Sequence, residues 1–277
     1  MRAGTGKKDS YKQNLDQYLA DFLKMRNDAR LSQYLVSNSN LPGPRGNLEL
    51  AFAFGELVGQ HSMKESSASE LWALFSKWAD ISPVEAPVNH PREFLPFCGA
   101  YTIGIIGSVS PMFLERALRR LKELANDPRW RTREAVAMGI QKLIEKHSQR
   151  ILKELEVWIG GDSWLQMRAV AAGVAEPRLL KDEETAEGAL AIHKRIVAQV
   201  LSSKERKSPE FKALRQTLGY SISVVVSAVP KEGFEYLNNL ALSRDADVVW
   251  IAKENLKKNR LVRRFPREVA AVNKSIR

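Results

Sequence analysis

Apolar residues recur along this chain at helical rather than strand spacing. Behind Ser110-Pro111 come Met112, Phe113, Leu114, Ala117, Leu118 and Leu121, while Arg116, Arg119, Arg120 and Lys122 fall mostly off that stripe. Recurrence at i, i+3 and i+4 turns one apolar face to a core and leaves the charged face to water. Val136, Ile140, Leu143 and Ile144 repeat the spacing, as do Leu190, Ile192, Ile196, Val197 and Val200. The punctuation agrees. Ser110-Pro111, Asp127-Pro128 and Ser208-Pro209 each set an N-cap oxygen before a proline. Proline suits the first helical position because its missing N–H has no partner there anyway. β-Branched residues concentrate only at 222–229, and with no second strand to pair with, that run is expected as a buried helix.

The pattern predicts a long helix near 10–36, then helices near 46–60, 67–79, 94–107, 111–125 and 129–146. Further helices are predicted near 149–159, 163–175, 183–202, 209–228, 231–243 and 246–258, with a short one near 266–274. Connections are short except at 37–46 and at 80–91, which bears Pro83, Pro87 and Pro91. Asp182-Glu183-Glu184 stands where the helix near 183–202 begins and complements the positive end of its dipole.

A small-residue motif recurs on this helical background. Trp130 to Ile140 (WRTREAVAMGI) aligns with Trp164 to Val174 (WLQMRAVAAGV), so that Ala135 and Ala169 are 34 residues apart. Ala51-Phe-Ala53-Phe-Gly55 repeats its core, and Ala100-Tyr-Thr-Ile-Gly104 keeps its ends. Self-similarity at such a period signals stacked supersecondary units. Ala135 and Gly139 lie four apart on one helix face, where their small size lets a neighbouring backbone come close. The expected fold is all-α: a right-handed α-solenoid of stacked antiparallel helix pairs, forming one domain over 1–277. Residues 1–9 are expected to be flexible and 260–277 to form a basic C-terminal segment.

These residues resemble HEAT repeats, in which an aspartate lies in the turn between paired helices and an arginine opens the second helix. Asp127 and Arg133 are six apart, as are Asp162 and Arg168. In that family such side chains form a ladder of ion pairs along an armadillo-like superhelix. At the third candidate, Asp245, the sixth residue on is Ile251, so the ladder is not continuous. The resemblance implies a fold and no activity; the expected role is a non-catalytic scaffold that binds a macromolecule on its concave face. A more distant likeness is to DNA alkylation-repair glycosylases built from HEAT-like repeats, but no catalytic residue of theirs aligns here.

Charge narrows the choice of partner. The net +11 is uneven: residues 101–150 hold 10 basic side chains against 5 acidic, and residues 251–277 hold 9 against 2. Such asymmetry points to an acidic or anionic partner, either protein or nucleic acid. The expected contacts are Trp130, Arg131 and Arg133 in one repeat and Trp164 and Arg168 in the next. Lys257, Lys258, Arg260, Arg263 and Arg264 join them from the C-terminal cluster. Guanidiniums beside indoles can hold phosphates and stack on bases.

Catalytic chemistry has little support. His61, His90, His147 and His193 are scattered, with no metal-ligand partner at i+3 or i+4, and are expected at the surface or at caps. Cys98, the single cysteine, is expected as a small core residue in a reduced, cytoplasmic setting. No nucleophile elbow or phosphate-cradling glycine loop is present, and no apolar run approaches the roughly 20 residues of a membrane helix. No catalytic residue, metal, cofactor, membrane association or small-molecule substrate is expected.

Overall fold

The computed structural model describes the backbone of residues 5–276 and the side chains of 9–276. All regular structure among them is helical: fourteen α-helices and three 3₁₀ turns, with no strand. The chain forms two compact units, Met1–Lys146 and His147–Arg277.

The first unit holds α1 (Thr5–Met25), α2 (Ala29–Ser37), α3 (Leu48–His61), α4 (Glu65–Ala79), α5 (Phe94–Val109), α6 (Leu114–Leu124) and the start of α7 (Trp130–Ile159). The single helix expected over 10–36 is two. Arg26 takes a left-handed conformation (φ 58°) and returns its N–H to the Phe22 carbonyl, which ends α1. Helical backbone already begins at Thr5, and the part of the flexible segment expected over 1–4 lies outside the described residues.

The core of this unit is α5. It carries no charged residue, and positions 94–108 are all buried, packed by α3, α4 and α6. A helix that is apolar all round needs neighbours on every side. Its glycines admit them: a Cβ on Gly99 would meet the Ala79 nitrogen at 2.7 Å, and one on Gly104 would meet the Gly139 Cα at 2.3 Å. Two copies of the small-residue motif thus touch glycine to glycine where α5 passes α7.

Helix α7 is interrupted at His147, whose φ of −141° and ψ of 44° are not helical. The sequence pattern left its gap at that place. The second unit contains the rest of α7, α8 (Trp164–Val174), α9 (Glu183–Ser202), α10 (Pro209–Val226), α11 (Pro230–Ala241), α12 (Ala246–Leu256), α13 (Asn259–Val262) and α14 (Pro266–Ser275). Here α10 is central, packed by α8, α9, α11 and α12. Its Ile222 and Val224 to Val226 are buried, so the β-branched run is helical there, and the chain turns only at Ser227. The four-residue α13 was too short to leave a periodic signal.

The caps show which punctuation acts. Ser208 accepts from Phe211 N–H at 3.1 Å, and Asp182 accepts from Thr185 N–H at 2.9 Å, capping α10 and α9. Ser110 opens only a 3₁₀ turn at Pro111–Phe113, with α6 starting at Leu114 and no side-chain cap bond. Asp127 lies three residues before α7, where its carboxylate accepts from Arg129 N–H at 2.7 Å and pairs with the Arg129 guanidinium.

Candidate macromolecule-binding surface

The expected contacts at the start of α7 divide sharply by burial. Trp130 is 42% exposed, whereas Arg131 directly beneath it is 5% exposed. The Arg131 guanidinium lies 4.4 Å from the indole centroid and donates from Nη1 to the fully buried Glu93 at 3.0 Å. Its Nη2 donates to the Gly43 carbonyl at 2.6 Å and to Asn89 Oδ1 at 3.2 Å. The two long connections of the sequence, 37–46 and 80–91, are therefore tied together by one arginine. The burial has a physical cause: a carboxylate in the interior requires a hydrogen-bonded cation. Trp130 is thereby held on a fixed guanidinium platform, facing solvent.

Arg133 donates from Nη1 to the carbonyls of Asp127 and Pro128, at 2.7 and 2.9 Å. The six-residue spacing thus brings this arginine to the aspartate's backbone. The Asp127 carboxylate holds Arg129, which is 1% exposed and also reaches the Ala86 carbonyl at 3.3 Å.

In the second unit Trp164 opens α8, its indole N–H donating to the Glu205 carbonyl at 3.1 Å and its ring packed edge-on against Phe211 at 5.3 Å. It serves the packing of α8 on α10. Arg168 on the same helix is buried. Ser163, not Asp162, caps α8 by accepting from Gln166 N–H. Asp245, the third aspartate of the series, finds its cation in the chain before α10: Arg206 pairs with it at 2.6 Å. Burial works against its charge, but that bond and the Val248 and Asp247 N–H donors hold its pKa below the ordinary carboxylate value. Beside it Asp247 pairs with Arg215 at 2.8 Å, and Arg215 lies 3.9 Å from the centroid of Trp250. This cluster joins residues 206–250 and had no local signal in the sequence.

The C-terminal cluster is different in kind. Lys253, Lys257, Arg260, Arg263, Arg264 and Arg267 are all exposed and Lys258 is half-buried. Lys257 pairs with Glu254 at 2.5 Å. The other exposed five have no carboxylate partner among the described residues. Arg264 lies 5.2 Å from the Phe265 ring centroid, and Phe265 is anchored edge-on against Phe234 of α11 at 5.5 Å. Helix α14 follows, with Val269 and Val272 buried, so this basic segment is folded onto the unit.

The histidines take three kinds of position. His61 meets Asp16 at 2.8 Å, and His90 Nδ1 accepts from Arg92 N–H as a cap. His147 marks the break in α7. His193 corrects the surface-or-cap expectation: it is fully buried, with Nδ1 against the Ala189 carbonyl at 2.8 Å and Nε2 against the Ser221 hydroxyl at 2.9 Å. A carbonyl can only accept, so Nδ1 carries the proton and Nε2 accepts from Ser221. Burial pushes its pKa down to about 4, which keeps the ring neutral. Cys98 is fully buried, and burial raises its thiol pKa well above the ordinary value. Among the described residues no three His, Cys, Asp or Glu side chains gather as a metal site needs, and no helix is long and apolar enough to cross a membrane.

The chain matches no protein-family model, and no curated protein aligns with it significantly.

Proposed function

We propose that this protein is a non-catalytic scaffold of HEAT-like helix pairs that binds an acidic or anionic macromolecule through the basic end of its second unit. One observation carries the reading: Lys253, Arg260, Arg263, Arg264 and Arg267 stand exposed, without a carboxylate partner among the described residues. Like charges held together on a folded surface repel one another, and an anionic partner removes that repulsion. The glycine-to-glycine approach of two motif copies supports stacked repeats. In a right-handed stack the concave face is the surface on which such a partner lies.

A second reading is a DNA-binding protein built like the HEAT-like alkylation-repair glycosylases. Trp130 favours it, being an exposed indole fixed on a guanidinium and able to stack. The test is binding of a short DNA duplex and of polyglutamate at low salt, for wild type and for Arg263→Ala/Arg264→Ala. The scaffold reading expects a polyanion to bind and the double variant to weaken it. Preference for the duplex, weakened again by Trp130→Ala, selects the DNA reading. If neither polyanion binds, or if the double variant binds as wild type does, the basic end is not the contact.

A further inference from the structure

The first unit carries a second cationic site, built differently from the C-terminal one. A pocket of about 300 Å³ opens between α4 and α6, lined by Trp72, Ser76, Arg116, Arg119, Arg120 and Glu123. Its floor is aromatic. Trp72 and Phe113 stack with centroids 4.9 Å apart and planes 21° apart, and both are buried. The Arg116 guanidinium lies over this pair, 5.0 Å from the Trp72 centroid and 5.1 Å from that of Phe113.

Contact with both rings holds the guanidinium carbon beside the aromatic pair by cation–π attraction, and the planar fork of N–H donors on an arginine has no acceptor of its own to satisfy it. Such a fork grips an oxyanion with two parallel hydrogen bonds. Arg119 lies three residues on, hence on the same side of α6, and is exposed. Neither Arg116 nor Arg119 has a carboxylate partner among the described residues. Arg120, by contrast, is held by Asp80 and by Glu123. The pocket thus presents two guanidiniums without a carboxylate partner among the described residues, beside an arginine held by two carboxylates, so that these five groups together carry one net positive charge.

Two guanidiniums without carboxylate partners beside one small pocket offer more N–H donors than a carboxylate with two oxygens can use, and suit a group with three acceptor oxygens. A phosphomonoester carries about −1.5 to −2 charges at neutral pH and three strong acceptor oxygens. Ser76 adds a hydroxyl and also borders the neighbouring cavity of about 920 Å³, which Lys77, Asp80 and Arg92 line in part. The remainder of a phosphorylated ligand has room there.

We propose that the Trp72–Arg116–Arg119 pocket of the first unit recognises a phosphomonoester group, distinct from the polyanion contact of the second unit. The group belongs either to a small metabolite or to a phosphorylated side chain, and the probes separate these sources. Calorimetric titration of the full chain with O-phosphoserine, with a short phosphoserine peptide, with its unphosphorylated form and with acetate tests the pocket. O-phosphoserine should bind, acetate should bind more weakly, and the unphosphorylated peptide should not bind. A phosphopeptide tighter than the amino acid assigns a peptide source, and equal affinities assign a small ligand.

Loss of one charge-assisted bidentate contact weakens binding by at least about tenfold. Arg119→Ala, on an exposed side chain, should show that loss without harm to folding, and Arg116→Ala should show it with an unchanged circular dichroism spectrum. Arg116→Lys should recover only part of the affinity. Arg263→Ala/Arg264→Ala should leave phosphoserine binding unchanged, which separates this pocket from the C-terminal contact. Absence of phosphoserine binding at millimolar concentration, or wild-type affinity in both Arg116→Ala and Arg119→Ala, overturns the proposal.

Discussion

Arginines that look alike in the sequence differ most at the scale of single residues. Arg131 and Arg263 both sit in basic stretches beside an aromatic residue. One is buried against the fully buried Glu93 and the other is exposed with no carboxylate partner among the described residues. Removing Glu93 as Glu93→Ala strands a buried guanidinium, and stranded partners of buried ion pairs cost about 3–5 kcal/mol. Urea unfolding should show that loss for Glu93→Ala, while Arg263→Ala stays within about 0.5 kcal/mol of wild type. An equal, small effect for both would mean that the Glu93–Arg131 pair is not buried in solution.

His193 makes a second residue-scale prediction. Its folded pKa, about 4, lies below the ordinary 6.5, so the unfolded chain takes up a proton at a pH where the folded one does not. Stability present at pH 7 is therefore lost as pH falls from about 6.5 to about 4, and the loss levels off below that. The shift corresponds to roughly 3 kcal/mol. Unfolding midpoints measured from pH 7 to pH 4 should fall more steeply for wild type than for His193→Gln. Parallel curves would show that the histidine is charged or solvated in the fold.

At the scale of elements, the small-residue motif is where two helices meet. A Cβ on Gly104 would lie 2.3 Å from the Gly139 Cα, whereas a Cβ on Gly139 would meet the Leu121 side chain at 3.2 Å. Backbone cannot give way as a leucine rotamer can. Gly104→Ala should therefore destabilise by at least the 1–3 kcal/mol or so typical of overpacking, and Gly139→Ala by less. A larger shift in melting temperature for Gly139→Ala would reverse the assignment of which glycine is in backbone contact. Most helices were legible because their signals are local: an apolar stripe, a Ser208 or Asp182 cap, a proline at the first turn. The break between α1 and α2 leaves no mark in the apolar pattern, which runs through it; a left-handed residue, Arg26, ends α1.

For the molecule as a whole, the surplus positive charge has two fates. Between 101 and 150, Arg129 and Arg131 are buried in ion pairs, whereas Arg116 and Arg119 of α6 are exposed and have no carboxylate partner among the described residues. Beyond residue 250 the charge is almost all at the surface. Each phosphate contacted on duplex DNA adds about −0.9 to the slope of log affinity against log salt. Arg263→Ala/Arg264→Ala should therefore flatten that slope by about 1.8 if both side chains touch phosphate. An unchanged slope, with weaker binding, would place them outside the contact. Of the expected contacts, Trp130, Lys257, Arg260, Arg263 and Arg264 are exposed, and Arg131 and Arg168 are not.

Residue pattern alone sufficed for the helical class, most helix positions and the small-residue motif, because helix formation, capping and periodicity act over three or four residues. Which charges are buried and which side chains share a pocket follows from contacts between distant parts of the chain. The partners that bury Arg131 lie 38 and 88 residues away, at Glu93 and Gly43, in connections with no periodic signal. The guanidinium of Arg116 is fixed by a tryptophan from another helix. A charge is buried or exposed according to such distant partners, since desolvating it is unfavourable without them, and no local pattern of residues encodes where they will meet.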